Sequence, residues 1–138
     1  TNVKTFYLNF FPNAEIVLTT YEEAEMIKYF TNTFLATKVS FANEIYSLCE
    51  KMNINYNTVL KNVLLDKRIG KSHFNVPGPD GKVGFGGSCL PKDLKAMISL
   101  FESKKISSEI LQSVWNKNLK IRTENDWKKL KGRAVNKD

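Results

Sequence analysis

Residues 21–52, YEEAEMIKYFTNTFLATKVSFANEIYSLCEKM, run without a glycine or a proline. The spacing predicts one long helix. Thr19 or Thr20 is placed to cap it, and Glu22, Glu23 and Glu25 fall in its first turns, where the helix dipole favours carboxylates. Apolar side chains recur at Ile27, Phe30, Phe34, Phe41, Ile45, Leu48 and Met52. A second apolar line follows Leu35, Val39, Ala42, Tyr46 and Cys49. Two adjacent lines make an arc wider than a one-sided surface helix needs. At 1.5 Å per residue the helix would be about 48 Å long, more than one small domain covers. Part of it is therefore expected to be buried against a second copy of the chain, giving a homodimer.

Working outward, Glu15-Ile16-Val17-Leu18-Thr19-Thr20 precedes the helix. It is short and rich in β-branched residues, so it reads as a strand. A single strand does not stand alone, and this one reads as the last strand of a sheet whose remainder is missing. Before it lies the aromatic run Phe6-Tyr7-Leu8-Asn9-Phe10-Phe11. The chain does not begin with Met and starts in mid-pattern, which points to a piece of something longer. After the helix, Asn53–Asn57 is a polar break, followed by a short helix with Val59, Leu60, Val63 and Leu64 apolar. Gly70 closes that segment. Residues 72–83 are a loop by composition, with Pro77-Gly78-Pro79-Asp80-Gly81 at its centre. Residues 93–104 read as a further helix and residues 107–131 as one or two more, in which Ile110, Leu111, Val114, Trp115 and Leu119 are the expected core residues.

At 138 residues, one domain is expected. A composition 42% hydrophobic suffices for a core. No segment approaches the run of about 20 apolar residues that spans a bilayer, so no membrane partner is expected. The net charge of +7 is negative over 21–52 and positive beyond. Such a balance suits nucleic acid, a membrane surface or an anionic small molecule. The aromatics are not interleaved with the basic residues as in a base-stacking platform, so a phosphate-bearing ligand is the favoured partner. A basic nucleic-acid-binding module and a purely structural dimerisation piece remain as alternatives. His73, the one histidine, has no acid or thiol at metal-ligand spacing, so no metal site is expected.

The densest chemistry lies in Gly84-Phe85-Gly86-Gly87-Ser88-Cys89-Leu90-Pro91-Lys92-Asp93. Glycine permits φ > 0 and close approach of another group to the backbone. Pro91 suits the first turn of a helix. The stretch reads either as a loop presenting a reactive thiol or as a Gly-rich turn around a small packed one. Cys49 falls on an apolar line and reads as core. Lys28 and Asn32, spaced i, i+4, share one face of the long helix. They read as a snorkelling lysine with a solvated amide, or as a pair with a purpose.

The stretch GFGGSCLPKD resembles the catalytic-cysteine segment of the UDP-glucose/GDP-mannose dehydrogenases. Glu25–Asn32 with Lys38–Glu44 resembles that family's long central helix, and Asp66-Lys67-Arg68-Ile69-Gly70 matches it again, in the same order. The resemblance implies a mainly α, bundle-like domain around one long helix, of the 6-phosphogluconate dehydrogenase C-terminal-like kind. Residues 1–20 would then be the remnant of an NAD-binding domain and 21–138 the central domain. It implies oxidation of a sugar-nucleotide alcohol to a carboxylate with NAD in the cytoplasm. UDP-glucose is favoured as substrate, with GDP-mannose as the alternative. The thiol of Cys89 would attack the aldehyde intermediate and carry the acid as a thioester. Lys28 and Asn32 would face Cys89 and stabilise the oxyanion, and Asp93 would position the hydrolytic water. Lys92 would contact the cofactor. Phe85, Gly86 and Gly87 would surround the sugar, and Arg68 would reach the substrate of the other subunit. No G-x-G-x-x-G follows a strand, so the dinucleotide fingerprint is absent, and the chain alone is expected to be inactive.

Overall fold

The structure, a computed structural model, describes residues 2–130. Its elements are α1 (Asn2–Phe10), α2 (Tyr21–Lys51), α3 (Tyr56–Val63), α4 (Cys89–Ser103), α5 (Glu109–Ile121) and a 3-10 turn, Asp126–Lys129. The domain is mainly α, as the long-helix pattern predicts. The last residue of the expected 107–131 helical segment lies outside the described residues.

α2 is the axle. Thr20 caps it with a reciprocal pair of bonds. The Thr20 hydroxyl accepts from the Glu23 amide at 3.2 Å, and the Glu23 carboxylate accepts from the Thr20 amide at 3.0 Å. Such a capping box satisfies two of the free N–H groups at a helix start. α2 packs chiefly against α4 and α5, and near its C-terminal end against α3. Its inward face holds Ala42 and Cys49 of the second apolar line, with Leu35, Val39 and Tyr46 half-buried. Between them runs Thr33-Ala36-Ser40-Asn43, all buried. These small and polar side chains let α4 and α5 come close, and the Ser40 hydroxyl donates to the Val114 carbonyl of α5 at 3.3 Å. The first apolar line faces outward: Ile27, Phe30, Phe34, Phe41, Leu48 and Met52 are exposed. Ile45 differs, because it packs against the core.

Two apolar clusters lie along α2. One joins Ala42 and Cys49 to Tyr56, Leu60 and Val76. The Tyr56 ring meets Tyr46 edge to face at 5.4 Å, and its hydroxyl donates to the Phe74 carbonyl. The other joins Ala36 to Phe85, Leu94 and Val114. Burying a side chain such as Leu94 contributes about 1.5–3 kcal/mol.

Three sequence expectations need correction. Residues 15–20 form no strand, and among the described residues there is none; without a neighbouring strand an extended segment has no ladder to join. The aromatic run lies in or just after α1, whose residues all remain outside the core. α4 begins at Cys89, four residues earlier than expected, because Pro91 occupies its third position, where a missing N–H breaks no helical bond. In α5, Val114 is buried, but Ile110 and Leu119 are exposed; the inner face instead carries Asn118.

Candidate active site

The loop before α4 is built from glycines held by side chains of other helices. Gly84 and Gly87 have φ of 70° and 71°, the left-handed region that favours glycine. Asn43 of α2 accepts from the Gly84 amide at 3.2 Å. Asn118 of α5 pairs with Phe85 like a second strand, accepting from its N–H at 2.8 Å and donating to its carbonyl at 2.9 Å. Asp126 accepts from the Gly87 amide at 3.0 Å. Gly86 and Gly84 lack a Cβ for a second reason: at Gly86 one would overlap the Arg122 guanidinium, and at Gly84 the Asn118 amide. Arg122, 3% exposed, donates to Asp80 at 2.7 Å and to Asp126 at 3.3 Å.

Ser88 stands at the N-cap position of α4 without a side-chain capping bond, and Cys89 is exposed at the first position, with the Ser88 hydroxyl 3.7 Å from its sulfur. Cys49 is free and buried. One turn past Cys89 lies Asp93, fully buried. Its Oδ2 accepts from Asn32 Nδ2 at 2.5 Å and its Oδ1 from Lys92 Nζ at 2.6 Å. Burial pushes the Asp93 carboxyl up. The bonds from Lys92 and Asn32 and the charges of Lys92 and Lys28 outweigh it, holding the group below the usual carboxylate range. The bond to Asp93 raises Lys92 in turn.

The structure thus brings Asn32, Lys92 and Asp93 together beside the start of α4, with Lys28 exposed one turn earlier on α2. Phe85 turns inward into the second apolar cluster. Arg68 stands apart. Its side chain is 89% exposed and paired with Asp66 at 2.6 Å. Lys38, 8% exposed, supports that segment by donating to the Gly70 carbonyl at 3.3 Å, with its ammonium 4.4 Å from the Phe74 ring. Among the described residues no group of His, Cys, Asp and Glu is arranged to hold a metal, and no helix is long and apolar enough to cross a membrane.

Sequence reasoning missed Asn43, Asn118, Arg122 and Asp126. No signal marked them: α5 ends at Ile121 and Arg122 is extended, so the fourfold spacing of Asn118, Arg122 and Asp126 does not follow one helix face.

Residues 22–120 match the UDP-glucose/GDP-mannose dehydrogenase family, central domain. The chain belongs to this family. The match encloses Lys28, Asn32, Arg68, the glycine loop, Cys89 and Asp93, while Arg122 and Asp126 lie just beyond it. A UDP-glucose 6-dehydrogenase of Rickettsia bellii is 47% identical over 105 residues, which is 76% of this chain and 23% of that protein. The UDP-glucose 6-dehydrogenase TuaD of Bacillus subtilis is 39% identical over 110 residues, 80% of this chain and 23% of the relative. The solved structure of a UDP-glucose dehydrogenase from the hyperthermophilic archaeon Pyrobaculum islandicum superposes with a TM-score of 0.71 at 36% identity, covering 85% of this chain and 26% of that one. The chain spans about a quarter of the length of these family members.

Proposed function

We propose that this chain is the central domain of an NAD-dependent UDP-glucose 6-dehydrogenase, with Cys89 as its nucleophile. The carrying observation is the exposed Cys89 at the first residue of α4, one turn before the buried Asp93 and its partners Asn32 and Lys92. The Cys89 thiolate adds to the C6 aldehyde carbon, forming a C–S bond and an alkoxide. Lys28 and Asn32 are assigned as the donors to that charge, and preorganised donors of this kind stabilise an oxyanion. At the thioester stage the Asp93 carboxylate, ionised in its buried pairings, takes a proton from water. The hydroxide adds to the carbonyl, the C–S bond breaks, the proton held by Asp93 passes to the Cys89 sulfur, and the free acid leaves.

NAD, when bound, accepts the hydrides. The described residues do not fit it. They contain no strand-to-helix turn, and the amides of Gly84, Phe85 and Gly87 are spent on Asn43, Asn118 and Asp126 rather than free for a pyrophosphate. Its site is assigned to a part of the protein outside this chain, to which residues 1–20 lead. Lys92, held by Asp93, is the one side chain of this chain assigned to contact it. Gly86 and Gly87 line the sugar together with the backbone of Phe85.

A homodimer through α2 completes the reading. Ile27, Phe34, Phe41 and Leu48 are seven residues apart and exposed, a spacing that suits a helix-to-helix seam. Across a two-fold axis, Arg68 of one subunit serves the site of the other. The two free cysteines suit a reducing, cytoplasmic setting.

The test is competition for Cys89. UDP-glucose is expected to slow its alkylation by iodoacetamide more than GDP-mannose does, read by mass spectrometry of the 138-residue chain. Stronger protection by GDP-mannose moves the substrate to that sugar. Protection by neither removes the assignment.

A further inference from the structure

We propose that Arg122 and Asp126 are positioning residues, which hold Gly86 and Gly87 so that Cys89 is presented in one geometry. The inference rests on Cys89 as the nucleophile, and it concerns residues just past the family match.

Three glycines in four positions give residues 84–87 more accessible conformations than any other stretch of the chain. A nucleophile at the end of such a segment would be poorly aimed, and misplacement by about 1 Å costs rate steeply. The structure removes that freedom from one side. The Arg122 guanidinium lies where a Gly86 Cβ would be, flanked by Asp80 and Asp126. Its Nη1 also reaches the Val83 carbonyl at 3.5 Å. Asp126 Oδ2 then takes the Gly87 amide, two residues before Cys89. Lys82 and Glu124 pair at 2.5 Å between the same two segments. Trp127 anchors the turn bearing Asp126, buried with its ring 5.6 Å from Trp115.

Stability alone does not explain this arrangement. Arg122 Nε and Asp126 Oδ1 are buried with no hydrogen-bond partner. Orphaned buried atoms cost free energy, and an apolar contact would close the same gap without that cost. Arg122 instead reaches both carboxylates through Nη2, beside Gly86, and the Val83 carbonyl through Nη1, a spread of donors that a lysine ammonium lacks.

The test uses Asp126→Ala, Asp126→Asn and Arg122→Lys in this chain, with two readouts. The first is hydrogen exchange of the Gly87 amide by NMR. Asp126→Ala is expected to speed it by about tenfold or more, since a hydrogen bond to a charged group is lost. Asp126→Asn, which keeps an acceptor, should restore part of the protection. Amides in the middle of α2 should not change. The second readout is the rate–pH profile of Cys89 alkylation, compared with an unstructured peptide of residues 84–92. Lys92 is the charged group near Cys89, with Tyr29 and Asp93 beside Lys92, Lys28 near Asp93, and the Ser88 hydroxyl 3.7 Å from the sulfur. The wild-type profile should differ from the peptide's, and Asp126→Ala and Arg122→Lys should move toward it. If Arg122→Lys unfolds the chain, Asp126→Ala, on a half-exposed side chain, decides alone. Unchanged Gly87 exchange and an unchanged profile in a folded variant would overturn the proposal. A wild-type profile matching the peptide's, with Gly87 still freed by Asp126→Ala, would refute Cys89 as nucleophile but leave the clamp standing.

Discussion

Asn32 of α2 donates its side-chain amide to Asp93 of α4 at 2.5 Å, across 61 residues of sequence. The bond joins the two helices that pack most extensively, and Lys92 closes the other side of the same carboxylate. A fully buried carboxylate is tolerable only when so partnered.

The Asp93 carboxyl titrates below its ordinary value of 3.8 when folded. A depressed folded-state value gives stability that is present above the unfolded value and is lost as pH falls through the folded one. Asp93→Asn is therefore expected to cost about 1–3 kcal/mol at neutral pH. Urea unfolding from about pH 7 to about pH 3 should show the gap between variant and wild type closing in the acid range. A gap that widens on acidification would contradict the assigned pairings.

The two thiols should behave as their burial dictates. In the folded chain Cys89 should alkylate at neutral pH well before Cys49, which the first cluster encloses. In denaturant the difference should vanish. Prior labelling of Cys49 in the folded protein, read by peptide mass spectrometry, would remove Cys89 as the accessible thiol.

Glycine replacements should rank by local geometry. Gly81→Ala meets no neighbour but sits at φ 73°, so it should cost about 1–2 kcal/mol. Gly84→Ala adds overlap with the buried Asn118 amide and should cost more. Gly86→Ala has ordinary φ, so its whole cost is the collision with Arg122, which its two carboxylates keep from swinging aside. Denaturant midpoints give the order, and equal costs at Gly81 and Gly84 would contradict it.

Phe41→Asp places a charge on the exposed seam of α2 without touching either core cluster. It should yield a monomer with unchanged helix content. Ile45→Asp is a poorer probe, because Ile45 packs on the core. A stable dimer of this kind buries on the order of 2,000 Å² or more. Sedimentation at micromolar concentration checks it, and a wild-type monomer would remove the interface along with the shared role of Arg68.

The long helix was legible because nothing interrupts it and its cap is a matched pair, Thr20 with Glu23. Its outward line was legible as an excess of apolar residues. The line that faces α4 and α5 was not, because Thr33, Ser40 and Asn43 are buried for their small size and their bonds rather than for hydrophobicity. In the site, Cys89, Asn32 and Asp93 were singled out through the resemblance of their segments to the family, while spacing by itself left their roles open. Asn118 and Arg122 were not, because their partners lie more than thirty residues away in the glycine loop. Lys38 was invisible as a buried group, since its acceptors are backbone carbonyls that any sequence supplies.

The two apolar clusters share one rod but no other helix. α3 and the 72–77 segment belong to the first, and α4 and α5 to the second. Such an arrangement comes apart in stages. The α3 end, with Lys38 and Arg68, has fewer partners along α2 and opens at lower free energy than the α4–α5 end. Arg68 is therefore carried on a hinged limb whose excursions leave the seating of Cys89 undisturbed.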